Sequence, residues 1–395
     1  MTSQVGSRGR SRRRRLSFVS ASLAVLALIA SACSSSGGSG GAATTPAGVS
    51  NPPASTGGDS ADSGLAAAQA FVAKYSTRPT KIPITQNVGK PVPKGKTIYF
   101  ISCGTPECAQ ESDIIKTATD ALGWTLHTIN TDGTPETEKA AFDQAARAKP
   151  AGVLYTAIDK SVFQNDIAAI HAGGGIISAC CITDPISSDG IDYGVEIPSQ
   201  TGFVGQLQAA WVASDSQGTA NSVVVNIPSI PILTYAYTQY KAKLPTYCPK
   251  CTTDSLDIPI TALGKDVPQR VVAYLRAHTD VKYVVMSTDS LAIGLPAALK
   301  AAGLSDIKIV GQGATATNLE YLHSNQESVS IAFPFYESMY MMVDAVVRHE
   351  AGVPIVPSVT PPQWLLTSSN APSTSKIFPI VPDVVQQFDA LWGVG

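Results

Sequence analysis

The sequence lacks an apolar run long enough to span a bilayer: its longest, Ser17 to Ala32, covers about 16 residues, against the roughly 20 a membrane-crossing helix needs. It also lacks a basic excess. Lys and Arg number 28 against 30 Asp and Glu, and six of the arginines, Arg8, Arg10 and Arg12 to Arg15, precede the apolar run. Without residues 1–32, which hold those six arginines and no acid, 22 basic residues face 30 acidic ones and the formal charge falls from −2 to −8. No nucleic acid and no anionic membrane surface is expected as a partner. No Gly-x-Ser-x-Gly elbow, His-Glu-x-x-His pair or phosphate-binding loop occurs, and the five histidines are scattered. His127 and His278 read as structural, and neither a catalytic centre, a metal nor a cofactor is expected.

The basic run directly before Ser17 to Ala32 is the layout of a secretory signal peptide. The run ends Leu28-Ile29-Ala30-Ser31-Ala32-Cys33, which resembles a bacterial lipobox with Ala30 where Leu is usual. The resemblance implies loss of residues 1–32, a lipid on Cys33, and an exported lipoprotein held at the outer face of the cell membrane by that lipid only. Residues 33–63 are almost all Ser, Gly, Ala, Thr and Pro, a composition that buries too little apolar surface to offset backbone ordering. They read as a disordered tether. Residues 64–95 follow as a helix over Leu65 to Tyr75 and a Pro-rich extended segment over Arg78 to Pro93.

Besides Cys33 the chain has Cys103, Cys108, Cys180, Cys181, Cys248 and Cys251; an even number in an exported chain reads as disulfides, with the pairing left open. Cys248-Pro249-Lys250-Cys251 has redox-motif spacing, but no helix N-terminus in a thioredoxin-like setting to lower a thiol pKa, and reads as a loop staple.

From Lys96 onward short apolar runs alternate with amphipathic ones, the pattern of parallel sheets flanked by helices. Strands are expected at Thr97–Ser102, Thr125–Thr128, Gly152–Thr156, Gly175–Ala179 and Tyr193–Glu196, then at Ser222–Asn226, Ser255–Ile258, Tyr283–Met286, Lys308–Gln312, Ser328–Phe333 and Gln363–Leu366. Helices fall between them. Two are marked by proline: Thr134 and Pro135 start one that Pro150 stops, and Pro296 inside Asp289–Ala302 predicts a kink or a late start. Val381–Trp392 reads as a closing helix. The length, roughly 330 residues after the tether, calls for two domains.

The segment Thr288-Asp289-Ser290-Leu291-Ala292-Ile293-Gly294-Leu295-Pro296-Ala297-Ala298-Leu299-Lys300-Ala301-Ala302-Gly303, followed by Ile307 to Gly311, resembles the type I periplasmic binding proteins, related to the ligand-binding half of lactose-repressor-like regulators. Val153 to Thr156, Ile176 to Ser178 and Ser328 to Phe333 keep the same register, and the resemblance covers about Lys96 to Trp392. It implies an α/β fold of two doubly wound, Rossmann-like parallel-sheet lobes joined by three hinge crossings, near Glu196–Ser199, Ala332–Pro334 and about Val359–Gln363. The N-terminal lobe would then comprise 96–197 with 334–361, and the C-terminal lobe 198–333 with 362–395. Open parallel sheets bind ligands beyond the carboxyl ends of their strands, so the solute belongs between the lobes.

Carried over position by position, the resemblance implies ligand contacts from Gly104, Thr105 and Glu107 in the loop after the first strand, and from Asp289, which otherwise only caps its helix. Cys180-Cys181 stand where sugar-binding relatives carry Asp-Arg, Gln312 where they carry Asp, and Phe333 where they carry Gln, which implies a less charged pocket. Tyr235 and Tyr237 join Phe333 as ring-stacking candidates, each otherwise core. Cys103 and Cys108 bracket the first loop and would stiffen it if bridged; Cys180 and Cys181 pair either with each other or with Cys103 and Cys108. The expectation is a monomeric solute-binding protein of an ABC transporter that passes a small polar or partly apolar, sugar-like solute to a permease. A ligand-sensing module for a membrane signalling receptor has the same lobes, and a thiol-redox enzyme would need Cys248 or Cys251 reactive.

Overall fold

In the computed structural model residues 59–394 are described; the expected signal peptide 1–32, the expected lipidation site Cys33 and the expected tether as far as residue 58 lie outside the described residues. Helix α1, Asp59–Tyr75, begins inside the stretch expected to be tether. The first sheet is then built from β1 (Thr97–Ser102), α2 (Pro106–Leu122), β2 (Thr125–Asn130), α3 (Pro135–Ala148), β3 (Gly152–Thr156), α4 (Ile167–Ala172), β4 (Ile176–Cys180) and β5 (Tyr193–Val195). Its order is β2-β1-β3-β4-β5, all parallel. β3 and β4 are buried at every residue while edge strand β2 is not, which is why the central strands read as unbroken apolar runs and β2 does not.

The second sheet follows α5 (Pro198–Asp215) and comprises β6 (Asn221–Asn226), α6 (Pro231–Tyr247), β7 (Thr252–Asp257), α7 (Val267–Ala277), β8 (Tyr283–Met286), α8 (Leu295–Ala301), β9 (Lys308–Gly313), α9 (Ala316–His323) and β10 (Val329–Ala332). After α10 (Phe335–Glu350), β11 (Trp364–Leu366) adds to β10 as the one antiparallel edge of the order β11-β10-β9-β8-β6-β7. Alternation along the strands feeds two cores per sheet: Ile98 and Phe100 pack beneath α10, Ile101 and Val153 beneath α3 and α4.

The stretches that follow β8 and β3 each open on a 3-10 turn, and the first makes the late start that Pro296 predicts. Pro296 takes the second position of α8, and Asp289–Ala292 ahead of it winds as a 3-10 turn, separated by left-handed Gly294. Lys160–Val162 is likewise a 3-10 turn, held by the Asp159 carboxylate accepting from Ser161 N at 2.8 Å, and α4 starts only at Ile167.

The chain crosses between the sheets at Glu196–Ile197, at Phe333–Pro334 and along residues 351–363. It also passes between them before β1 and after β11, because the two terminal helices pack on opposite lobes. α1 lies on α5 and α6, with Phe71 and Tyr75 edge-on to Phe203. α11 (Val384–Trp392) packs on α10, so assigning 362–395 to the C-terminal lobe fails for this helix. The reason is a buried polar knot: Asp344 on α10 pairs with Arg348 at 2.7 Å and accepts from Trp392 Nε1 at 2.8 Å, and Arg348 donates to Gln86 O. The knot ties the segment before β1 and the closing helix to the first lobe.

Candidate functional site

The carboxyl ends of β1, β3 and β4 face those of β8 and β9 across a half-open gap with a cavity volume of about 80 Å³. Small space of this kind suits a small solute, since drug-sized pockets run to roughly 300–1,000 Å³. On the first-lobe side, Thr105 caps α2 by accepting from Cys108 N at 3.3 Å, and Cys103 and Cys108 are joined by a disulfide. This fixes the first turns of α2 at the gap, and Glu107 and Glu111, four residues apart on one helix face, both line it. Across the gap stand Ser287, Thr288 and Gln312, with Ile230, Ile232 and Leu233 as an apolar wall and Phe333 and Phe335 at the crossing.

Strain concentrates around this gap. Ala157, Cys181, Glu196 and Ala314, which follow β3, β4, β5 and β9, all have left-handed backbones, with φ of 56°, 63°, 51° and 58°. Non-glycine residues hold that conformation only where surrounding bonds impose it, and such sites cluster where ligands bind. Here the bonds are visible: Cys181 N donates to Val195 O at 3.0 Å and Ala314 N to the Asp289 carboxylate at 2.6 Å.

The lobes touch across the gap through Glu107. One oxygen of its carboxylate accepts from the Thr288 hydroxyl at 2.9 Å, from Ser290 N at 3.1 Å and from the Ser290 hydroxyl, all on the second lobe. The other oxygen is buried and has no partner. Glu196 lines the gap and also ties the hinge, accepting from the Thr201 hydroxyl and, at 3.1 Å, from Gln363 Nε2. Glu107→Ala removes three bonds to a carboxylate. It is expected to shift the solute-free lobes toward the open state by about tenfold, the equivalent of about 1.4 kcal/mol. The measurement is the alkylation rate of the gap thiol Cys181, which should rise by a similar factor; an unchanged rate would show that Glu107 does not hold the lobes together.

Electrostatically the gap is acceptor-rich. Burial pushes the Glu111 carboxyl up to about 8, against the pull of the Thr156 hydroxyl and with Glu107 adding to the rise. Burial likewise raises Glu196 to about 7, while Thr201 and Gln363 pull it down. Glu107 Oε2, Glu111 Oε2, Gln312 Oε1 and Ser287 Oγ are buried without a partner. No Lys, Arg or His is among the residues described as lining the gap.

Of the residues singled out in the sequence, Thr105, Glu107, Cys181, Gln312 and Phe333 line the gap. The other five do not. Gly104 presses its backbone on the Asp132–Gly133 turn, where a Cβ would sit 2.4 Å from Gly133 N. Cys180 ends β4 with its side chain in the core beneath α10. Tyr235 lies against Gly202 on α5, and Tyr237 packs on the core beside α5 and α6. Asp289 is wholly buried and accepts from Gln312 N and Ala314 N at 2.6 Å and from the Ser330 hydroxyl at 2.8 Å; it shapes the loop that presents Gln312 and does not reach the gap.

Cys180 and Cys181 remain thiols, so neither pairing considered for them occurs. Cys103 and Cys108 are bonded to each other, and consecutive Cα atoms lie about 3.8 Å apart, short of the roughly 4.4–6.8 Å a disulfide spans. Cys248 and Cys251 form the second disulfide, largely buried at the C-terminal end of α6. Glu111 and Glu196 add two carboxyl groups to the gap lining, and burial drives both toward the neutral form. Neither is among the residues singled out in the sequence: Glu196 reads there only as part of a crossing, and Glu111 sits one turn inside α2, where its four-residue spacing from Glu107 is the signal that marks it.

A family model described as a periplasmic binding protein domain matches residues 108–353. The chain belongs to this family. A comparison of this periplasmic binding protein with curated proteins finds no match by sequence. Among solved structures, a sugar ABC transporter protein from Yersinia enterocolitica superposes with a TM-score of 0.64 at 16% identity, over 80% of this chain and 99% of that one. A solute-binding protein from Agrobacterium vitis with bound allitol gives 0.62 at 18% identity, over 70% and 97%. A Mycobacterium smegmatis protein in complex with β-D-fucofuranose gives 0.60 at 17%, over 76% and 98%. Identities this low carry the two-lobe fold and nothing finer. Among the described residues of the binding protein, no helix is long and apolar enough to cross a membrane.

Proposed function

We propose that this binding protein captures a small polar or partly apolar solute between its lobes and delivers it to an ABC permease, without chemistry on the solute. It works from the outer face of the cell membrane, tethered through lipid on Cys33 and residues 34–58. The observation that carries the reading is the set of unpartnered buried oxygens on Glu107, Glu111, Ser287 and Gln312, four residues that line one gap. A folded protein leaves such groups unpaired where a ligand is to pair them, because each costs about 1–3 kcal/mol otherwise. The solved relatives with bound allitol and β-D-fucofuranose support a polyhydroxylated or related solute.

Native mass spectrometry of the freshly purified mature protein, before and after partial unfolding and dialysis, tests the reading. A small molecule is expected to co-purify and to be lost on treatment, and returning it at 100 times its Kd should stabilise the protein by about 2.7 kcal/mol. Absence of any co-purifying mass, together with no stabilisation by any compound of a broad metabolite screen, would contradict it.

A further inference from the structure

The gap brings three carboxyl groups, those of Glu107, Glu111 and Glu196, to one chamber with no basic side chain among its described lining residues. Glu107 and Glu111 each keep one buried oxygen unpaired, and so does the amide oxygen of Gln312. These are acceptors without donors. Ile230, Ile232, Leu233, Phe333 and Phe335 supply the remaining walls. A neutral polyol offers hydroxyl donors to such a site, but it brings no countercharge to offset ionisation of a carboxyl group in an apolar chamber. An ammonium group offers three N–H donors and the missing positive charge together.

We propose that the solute carries a protonated amine, seated among Glu107, Glu111 and Glu196, on a compact body that packs against Ile230, Leu233 and Phe333. This deepens the solute-binding reading and rests on it. In the solute-free gap burial already drives Glu111 and Glu196 toward the protonated form, so the site holds protons where the amine brings its own charge. Glu107 is placed to link recognition to motion, because it lines the chamber, one of its oxygens contacts the second lobe and the other is buried without a partner.

The test uses matched pairs that differ in the amine: cyclohexylamine against cyclohexanol, and D-glucosamine against D-glucose, followed by thermal shift and calorimetry on the mature protein. At least one amine is expected to bind at least tenfold more tightly than its neutral partner. Glu111→Gln should weaken that amine at least tenfold and reduce its advantage over the neutral partner; Glu196→Gln serves as the second variant should the first fail to fold. Equal binding of the amine and neutral members, or amine binding unaffected by both variants, would overturn the amine assignment and leave solute capture standing. Silence of both pairs, with neutral compounds alone emerging from the broad metabolite screen, would overturn it too. Silence of both pairs and of the whole screen would overturn both.

Discussion

Asp289→Ala is expected to lower the melting temperature by roughly 4 °C while the affinity for the solute changes by no more than a few-fold. The substitution strands two buried backbone N–H groups, of Gln312 and Ala314, and the Ser330 hydroxyl. Each buried donor left unpaired costs about 1–3 kcal/mol. One effect runs the other way: Asp289 and Glu327 both press on Gly311, where a Cβ would lie 2.2 Å from one carboxylate and 2.0 Å from the other, and removing Asp289 relieves their repulsion. The net loss is then about 3 kcal/mol. Denaturant unfolding and titration with the bound solute separate the two roles. Lost affinity with unchanged stability would return Asp289 to direct ligand contact.

Glu111→Gln is expected to open a stability advantage over the wild type that grows with pH. The folded carboxyl titrates at about 8, against an ordinary value of 4.5, so between those values the folded state holds a proton that the unfolded state has released. Stability contributed by the protonated group is complete below about 4.5 and is lost as pH rises through about 8. Glutamine keeps the shape of the protonated acid and does not titrate. The variant should match the wild type near pH 4.5 and exceed it by roughly 2–4 kcal/mol at pH 8.5, with solute absent. Glu196 and Glu337, both pushed up to about 7 by burial, add their own slope to each protein and cancel in the difference. Parallel curves for the two proteins would show that Glu111 ionises in the folded state as freely as in water. A binding site that weakens its own scaffold in this way is the usual trade between function and stability.

The alternation of strand and helix was legible because each rests on a local cause. Pro296 forced the late start of α8, Gly123 in the left-handed region closed α2, and the apolar runs of β3 and β4 marked strands covered on both faces. Placement of the terminal helices was not legible. An amphipathic face on Val384–Trp392 says that the helix packs, not on which lobe; that choice is made by Trp392 meeting Asp344, a contact between residues far apart in sequence. The site divided along the same line. Thr105 and Glu107 follow from their position just after β1, and Phe333 from its position at a crossing. Asp289 shows the limit of position alone, since at a helix start bordering the gap its side chain turned inward to the backbone of the β9 loop. Tyr235 and Tyr237 failed for a related reason: α6 presents Ile232 and Leu233 to the gap and turns its tyrosines toward α5 and the core beside it.

Cys181 offers the most direct measurement, because it is a natural thiol in the wall of the gap and its neighbour Cys180 is wholly buried. The rate at which a small alkylating reagent modifies Cys181, followed by mass spectrometry of the intact protein with and without a stabilising solute, reads whether the solute is sealed between the lobes. Modification is expected to fall at least tenfold at saturation. A saturating solute that leaves the rate unchanged would place binding elsewhere and contradict the account.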